Sequence, residues 1–175
     1  MTVLAHLIGG VVAVIRVLAV LALVALVLVL LLAIAVRELG AFGGTITWAE
    51  EAERFLFIWL VFLGSPVALD RGGHILIDVV ARLATGRRAL VLVSAVRVLV
   101  LGFLGVMVHA GLDLVSRTGN QSAAALDIPM SIVHFALPLS AAVMAMQIVL
   151  MLLRDGLALA HQRDRPVVWQ TGSDR

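Results

Sequence analysis

From Val17 to Val36 the chain runs through twenty consecutive apolar residues, bounded by Arg16 and Arg37. Coiled as an α-helix, such a stretch is about 30 Å long, the depth of a bilayer's hydrocarbon core. Three further stretches repeat the pattern with sparse polar interruptions: Phe55–Leu69, Ala89–Leu112 and Met130–Leu153. A water-soluble fold of this size has no interior in which to hide four such runs. They are continuous and not alternating, which also excludes a transmembrane barrel. In hydrocarbon each backbone N–H and C=O needs an internal partner, and the α-helix alone supplies one within a single segment. With 62% hydrophobic and 14% charged residues and a mean hydropathy of +1.13, the chain is predicted to be an all-α integral membrane protein. Its four transmembrane helices are expected at about 15–36, 48–69, 89–112 and 130–153, in one membrane domain over 1–160, followed by a polar, disordered tail over 161–175.

The first run resembles a secretory leader only superficially. It exceeds the roughly 7–15 apolar residues of a leader's core, and further spans follow it, so it reads as helix one. Gly40, Gly43 and Gly44 then break the helix, and Thr47 with Glu50 three residues on offers a capping box that starts helix two near Trp48. Pro66 falls near the end of that helix and removes the donor for the carbonyl of Phe62. Between helices two and three, His74, Asp78 and Arg82 recur every four residues among apolar neighbours. That spacing predicts a short amphipathic helix lying in the headgroup plane or against a neighbour. The segment from Asp113 to Pro129 is rich in Ser, Thr, Gly, Asn and Gln and reads as an exposed connection, while Pro138 is expected to kink helix four.

All 13 basic residues are arginine, and the formal net charge of +2 is too small to argue for nucleic acid. The absence of cysteine removes thiolate metal sites, catalytic thiols and disulfides. Nine arginines fall on one side of the four spans: Arg16, then Arg71, Arg82, Arg87 and Arg88, then Arg154, Arg163, Arg165 and Arg175. Three (Arg37, Arg54, Arg117) fall on the other, and Arg97 lies within a span. The positive-inside rule therefore puts both termini and the connection between helices two and three in the cytoplasm.

Chemistry is scarce. No Ser/His/Asp order, phosphate-binding glycine loop or HExxH zinc motif is present, so the chain is not expected to be an enzyme, and no catalytic, substrate-binding or metal-ligating residue is assigned. Glu50, Glu51 and Glu53 crowd the first turn of helix two, where carboxylates are favourable partners of the helix dipole. His109 and His134 lie toward the same end of helices three and four, which admits an alternative: the anchor subunit of a redox enzyme, with b-type haem between those helices. Arg97 has two readings, a stem that snorkels to the headgroups or a buried ion pair at a partner interface. Gln147, deep in helix four, suits a hydrogen bond across helices, within the chain or to a partner.

The polar frame of helix two carries a resemblance. Glu51, Arg54, Trp59, Gly64, Gly73, His74, Ile75 and Asp78 resemble the signature of the small, DctQ-like membrane subunit of tripartite ATP-independent periplasmic (TRAP) transporters. The family has an acidic residue and Arg at the start of its second helix, Trp and Gly within it, and Gly-His-Ile with Asp just after it. "DIPMSIVHFALPLS" (127–140) looks like the family's Ile-Pro step into helix four, with a second Pro nine residues on. Ser140 departs from the pattern, where Gly is expected. The resemblance implies a four-span inner-membrane subunit of a sodium-coupled importer of organic acids, such as a dicarboxylate, a sialic acid or another carboxylate. It implies no cofactor. The partners it implies are a large membrane subunit beside which the chain packs, a periplasmic solute-binding protein, and the phospholipid bilayer. Glu51, Arg54, Trp59, Gly64, Gly73, His74, Asp78 and Arg97 are the candidate motif and interface residues, with Gly64 giving a neighbouring backbone room to approach.

Overall fold

The computed structural model describes residues 2–39, 47–71 and 87–160. Four helices among them are long and apolar enough to cross a membrane. The elements are α1 (Thr2–Glu38), α2 (Thr47–Asp70), α3 (Arg87–Arg117), α4 (Met130–His134) and α5 (Ala136–Ala160). Among the described residues there is no strand, only an isolated bridge between Ser122 and Pro129.

α1 is longer than expected. It begins at Thr2 and not near residue 15, because Ala, Leu and Val before Arg16 continue the helix without any breaker that competes with it. Arg16 is therefore a residue within the helix and not part of a tail. α2 includes Thr47, one residue ahead of the expected start, and α3 continues to Arg117, past the expected Leu112. In its last turn Arg117 Nε donates to Asp113 at 2.9 Å, and the hydroxyls of Ser116 and Thr118 donate to the carbonyls of Asp113 and Leu114. Thr118 Oγ1 also lies 3.4 Å from the carbonyl of Val115, one of those that the end of a helix leaves without an intrahelical partner.

Helix four is two pieces. α4 stops at His134 and α5 starts at Ala136, with Phe135 between them. Pro138 explains the break, since it has no N–H for the carbonyl of His134 and its ring crowds the preceding turn. Ser140, in the position where the resemblance led us to expect Gly, is 2% exposed and turns its hydroxyl onto the carbonyl of Leu137 at 3.0 Å. A small side chain that satisfies itself on its own helix suits this crowded turn. The close approach falls instead at Gly111, where an added Cβ would stand 2.8 Å from Cδ of Pro138.

The spans run alternately up and down, but neighbours in sequence are not all neighbours in space. α1 packs on α2, α2 on α5 and α5 on α3, so the helices stand in a row with α1 and α3 at its two edges. Ile15, Ala19, Leu63 and Val143 join α1, α2 and α5, while Leu69, Leu104, Ala141 and Ile148 join α2, α3 and α5. A third contact, Ile8 and Val12 against Leu150, ties the start of α1 to α5. Beyond Ala19 one face of α1 is turned outward, with Leu21, Val24 and Leu28 each about half exposed, as a lipid-facing surface requires, while Val36 is buried.

The amphipathic helix expected at His74, Asp78 and Arg82, the glycines 40, 43 and 44, and the tail 161–175 lie outside the described residues.

Candidate functional site

The polar residues of α2 are placed at its two ends, and each end is fastened to a different element. At the start, the first turn is acidic and one acid does more than face the helix dipole. The carboxylate of Glu51 accepts three backbone N–H groups from the connection between α3 and α4: Ala124 at 3.1 Å, Ala125 at 2.8 Å and Leu126 at 2.9 Å. Three consecutive amides aimed at one anion form a nest, and the charge makes each bond stronger than one between neutral groups.

The connection is exposed along most of its length, as expected, and it is also tightly built. Ala123 donates to Ile128 at 2.9 Å, Asp127 to Ala123 at 3.1 Å and Met130 to Gln121 at 2.8 Å. Asp127 takes a positive φ of 51°, a conformation that Asp tolerates better than most side chains. Beneath the carboxylate, Phe55 packs against Ala123 and Val133, flanked by Ile58, Leu126 and Met130. Beside it, Nδ1 of His134 meets Oγ1 of Thr118 at 3.1 Å. The Thr118 hydroxyl also lies 2.9 Å from the carbonyl of Leu114, so it ties the ring to the end of α3.

At the other end, Gln147 Nε2 donates to the carbonyl of Pro66 at 3.0 Å from a fully buried position. The two readings of Gln147 resolve in favour of a bond within the chain. Its Oε1 is buried without a hydrogen-bond partner. One turn further on, Arg16 of α1 meets Asp70 at 3.4 Å.

The candidate residues separate accordingly. Glu51 is the keystone of the outer turn. Arg54, three residues on, is exposed and is not drawn onto the Glu51 carboxylate, whose oxygens the amides occupy. Trp59 is half-buried against Ile15, Ala19, Leu63 and Val143. An added Cβ on Gly64 would meet nothing within 4 Å, so none of the described residues uses the space that Gly leaves there. Arg97 is 3% exposed, so its side chain is packed among protein atoms. Gly73, His74 and Asp78 lie outside the described residues.

Two contributors were missed from the sequence. Gly111 is one. The other is the run of amides at 124–126, whose only signal was the Asp-Ile-Pro step that follows. The haem alternative finds no geometry. His109 is exposed on α3, and His134 is bound to Thr118, nine residues or about 13 Å further along that helix.

The sequence profile described as "Tripartite ATP-independent periplasmic transporters, DctQ component" matches residues 26–157. A protein described as "Isethionate TRAP transporter permease protein DctMQ", from Oleidesulfovibrio alaskensis, is 31% identical over 103 residues, which is 58% of this chain and 16% of that protein. The chain thus matches a small part of the length of that relative.

Proposed function

Since the chain belongs to the DctQ component family of tripartite ATP-independent periplasmic transporters, a family of inner-membrane transport components and not of enzymes, we propose that it scaffolds a large transport subunit. That partner would carry organic acids inward with sodium, after their capture by a periplasmic solute-binding protein. The observation that supports this role most directly is where the polar side chains go. Glu51, Gln147, Ser140 and Thr118 are spent on fastening the chain to itself, while the broad faces of the helices are apolar. A membrane protein that moves an organic anion needs polar groups facing its path. One that braces a neighbour needs a rigid apolar surface.

On this reading, residues 1–160 act as one membrane domain. Arg54, exposed at the start of α2, and the open surface at Gly64 are contact points for the large subunit, with Trp59 stiffening the helix between them. Gly73, His74 and Asp78 anchor the cytoplasmic connection, and buried Arg97 holds the end of α3. Both termini face the cytoplasm, a placement supported by the excess of arginines after α2 and after α5. The natural absence of cysteine makes single introduced cysteines a direct report of sidedness.

The candidate solutes are dicarboxylates, sialic acids and other carboxylates, with isethionate added by the name of the relative. The test is reconstitution. Proteoliposomes holding this chain, its cognate large subunit and binding protein are expected to accumulate one of these solutes under an inward sodium gradient, and omission of this chain is expected to abolish uptake. Accumulation by this chain alone would refute the scaffold role.

A further inference from the structure

Arg16 is an arginine within an otherwise apolar helix, and only part of it is occupied. The buried face of α1 is set by Ile8, Val12, Ile15 and Ala19, and Arg16 stands at the flank of that face beside α2. There Nη2 meets Oδ2 of Asp70 at 3.4 Å, with the two side chains 44% and 45% exposed. A firm bond between a guanidinium and a carboxylate is shorter, about 2.7–2.9 Å. The pair is loose, and among the described residues it engages the guanidinium, which carries five N–H donors, through Nη2 alone.

Toward the Glu51 end, Val20, Leu23 and Val27 follow Arg16 at four, seven and eleven residues, the spacing that keeps side chains on one helix face. They are 55%, 46% and 45% exposed. The stripe from Arg16 to Val27 is about 17 Å long, close to half the ~30 Å hydrocarbon core and so to one leaflet. The charge around its base favours an anion. Arg71 directly follows Asp70 and is exposed. Arg154 is exposed at the same end of α5, because the bond from Gln147 to Pro66 fixes the register of α2 and α5.

We propose that this flank of α1 is a phospholipid site, with the lipid phosphate on the Arg16 guanidinium and one acyl chain along Val20, Leu23 and Val27. A free phosphate shares the headgroup chemistry but gains nothing from the stripe. The site rests on the membrane placement of the chain and is independent of the proposed transport role. Asp70 moderates the site, since it competes with phosphate for the same guanidinium.

Native mass spectrometry of the full chain in mild detergent tests this, after incubation with vesicles of phosphatidylethanolamine and phosphatidylglycerol in equal parts. The wild-type chain is expected to retain a phospholipid adduct, and Arg16→Gln to lower its occupancy about fivefold, the worth of one arginine near a lipid surface. Asp70→Asn is expected to retain at least as much lipid as the wild type. Both variants break the same ion pair, so equal losses in the two would show that the pair merely holds the helices, and would overturn the proposal. An unchanged Arg16→Gln adduct would do the same, as would displacement of the adduct by millimolar inorganic phosphate. Should Arg16→Gln fail to fold, Arg16→Lys decides: retained lipid supports the site and lost lipid refutes it.

Discussion

Ala125 donates its backbone N–H to the Glu51 carboxylate at 2.8 Å across 74 positions of sequence. The amides on either side of it converge on the same group. The turn between α3 and α4 is therefore positioned from α2, a helix to which it is not directly joined, with Phe55 packed against the turn beneath the carboxylate.

Glu51→Ala should be the most damaging single change at this end. It leaves three amides of the turn without their acceptor, and hydrogen bonds to charged groups contribute about 1.5–3 kcal/mol each where they are well formed. Partial exposure lets water replace some of this, so a net loss of about 2–3 kcal/mol is expected. Hydrogen exchange at Ala124, Ala125 and Leu126 should accelerate while α3 stays protected. Unchanged exchange at these amides would contradict the clamp.

Gly111→Ala places a methyl group 2.8 Å from Cδ of Pro138, and neither the ring nor the helix backbone can easily move aside. Overpacking of this kind costs about 1–3 kcal/mol. Gly105→Ala, on the same helix with nothing within 4 Å, is expected to leave the melting temperature in detergent unchanged or slightly raised. The pair of variants separates crowding from a general effect of glycine.

Gln147→Leu removes the bond to Pro66 but also removes a buried oxygen that has no partner. Interhelical hydrogen bonds in membranes contribute about 0.6 kcal/mol on average, so this substitution is expected to change stability by less than about 1 kcal/mol. Gln147→Ala should cost more, about 2 kcal/mol, because it also opens a cavity among α2, α3 and α5. Thermal unfolding of the two variants side by side checks the order.

Arg54→Ala should leave the stability of the isolated chain within about 0.5 kcal/mol, the usual range for an exposed site. The proposed role at the interface gives it a second expected effect, a lower yield of the complex on co-purification with the large subunit. Full complex yield together with wild-type uptake would remove Arg54 from the interface.

The four spans were legible because hydrocarbon leaves the backbone one option, and a run such as Val17–Val36 has no other reading. The start of α1 was not, because Arg16 looked like the boundary of a span and nothing in the preceding residues announced that the helix continued through them. Glu51 was read as a partner of its own helix dipole. Its actual partners are amides, which every residue carries and which sequence therefore does not mark. Pro138 was visible as a disturbance, but the break falls at Phe135, where the missing donor is felt. Gly64 drew attention through its motif, while Gly111, in no motif, makes the close contact, since only the fold shows that it faces Pro138.

The single-file order α1, α2, α5, α3 carries a mechanical consequence. Helices packed in this order, with α1 reaching past α2 only as far as the contact of Ile8 and Val12 with Leu150, form a plank with two long flanks. On the proposed scaffold role, such a shape broadens the footprint of the large subunit and stiffens it against rocking as its solute-carrying parts shift past the lipid.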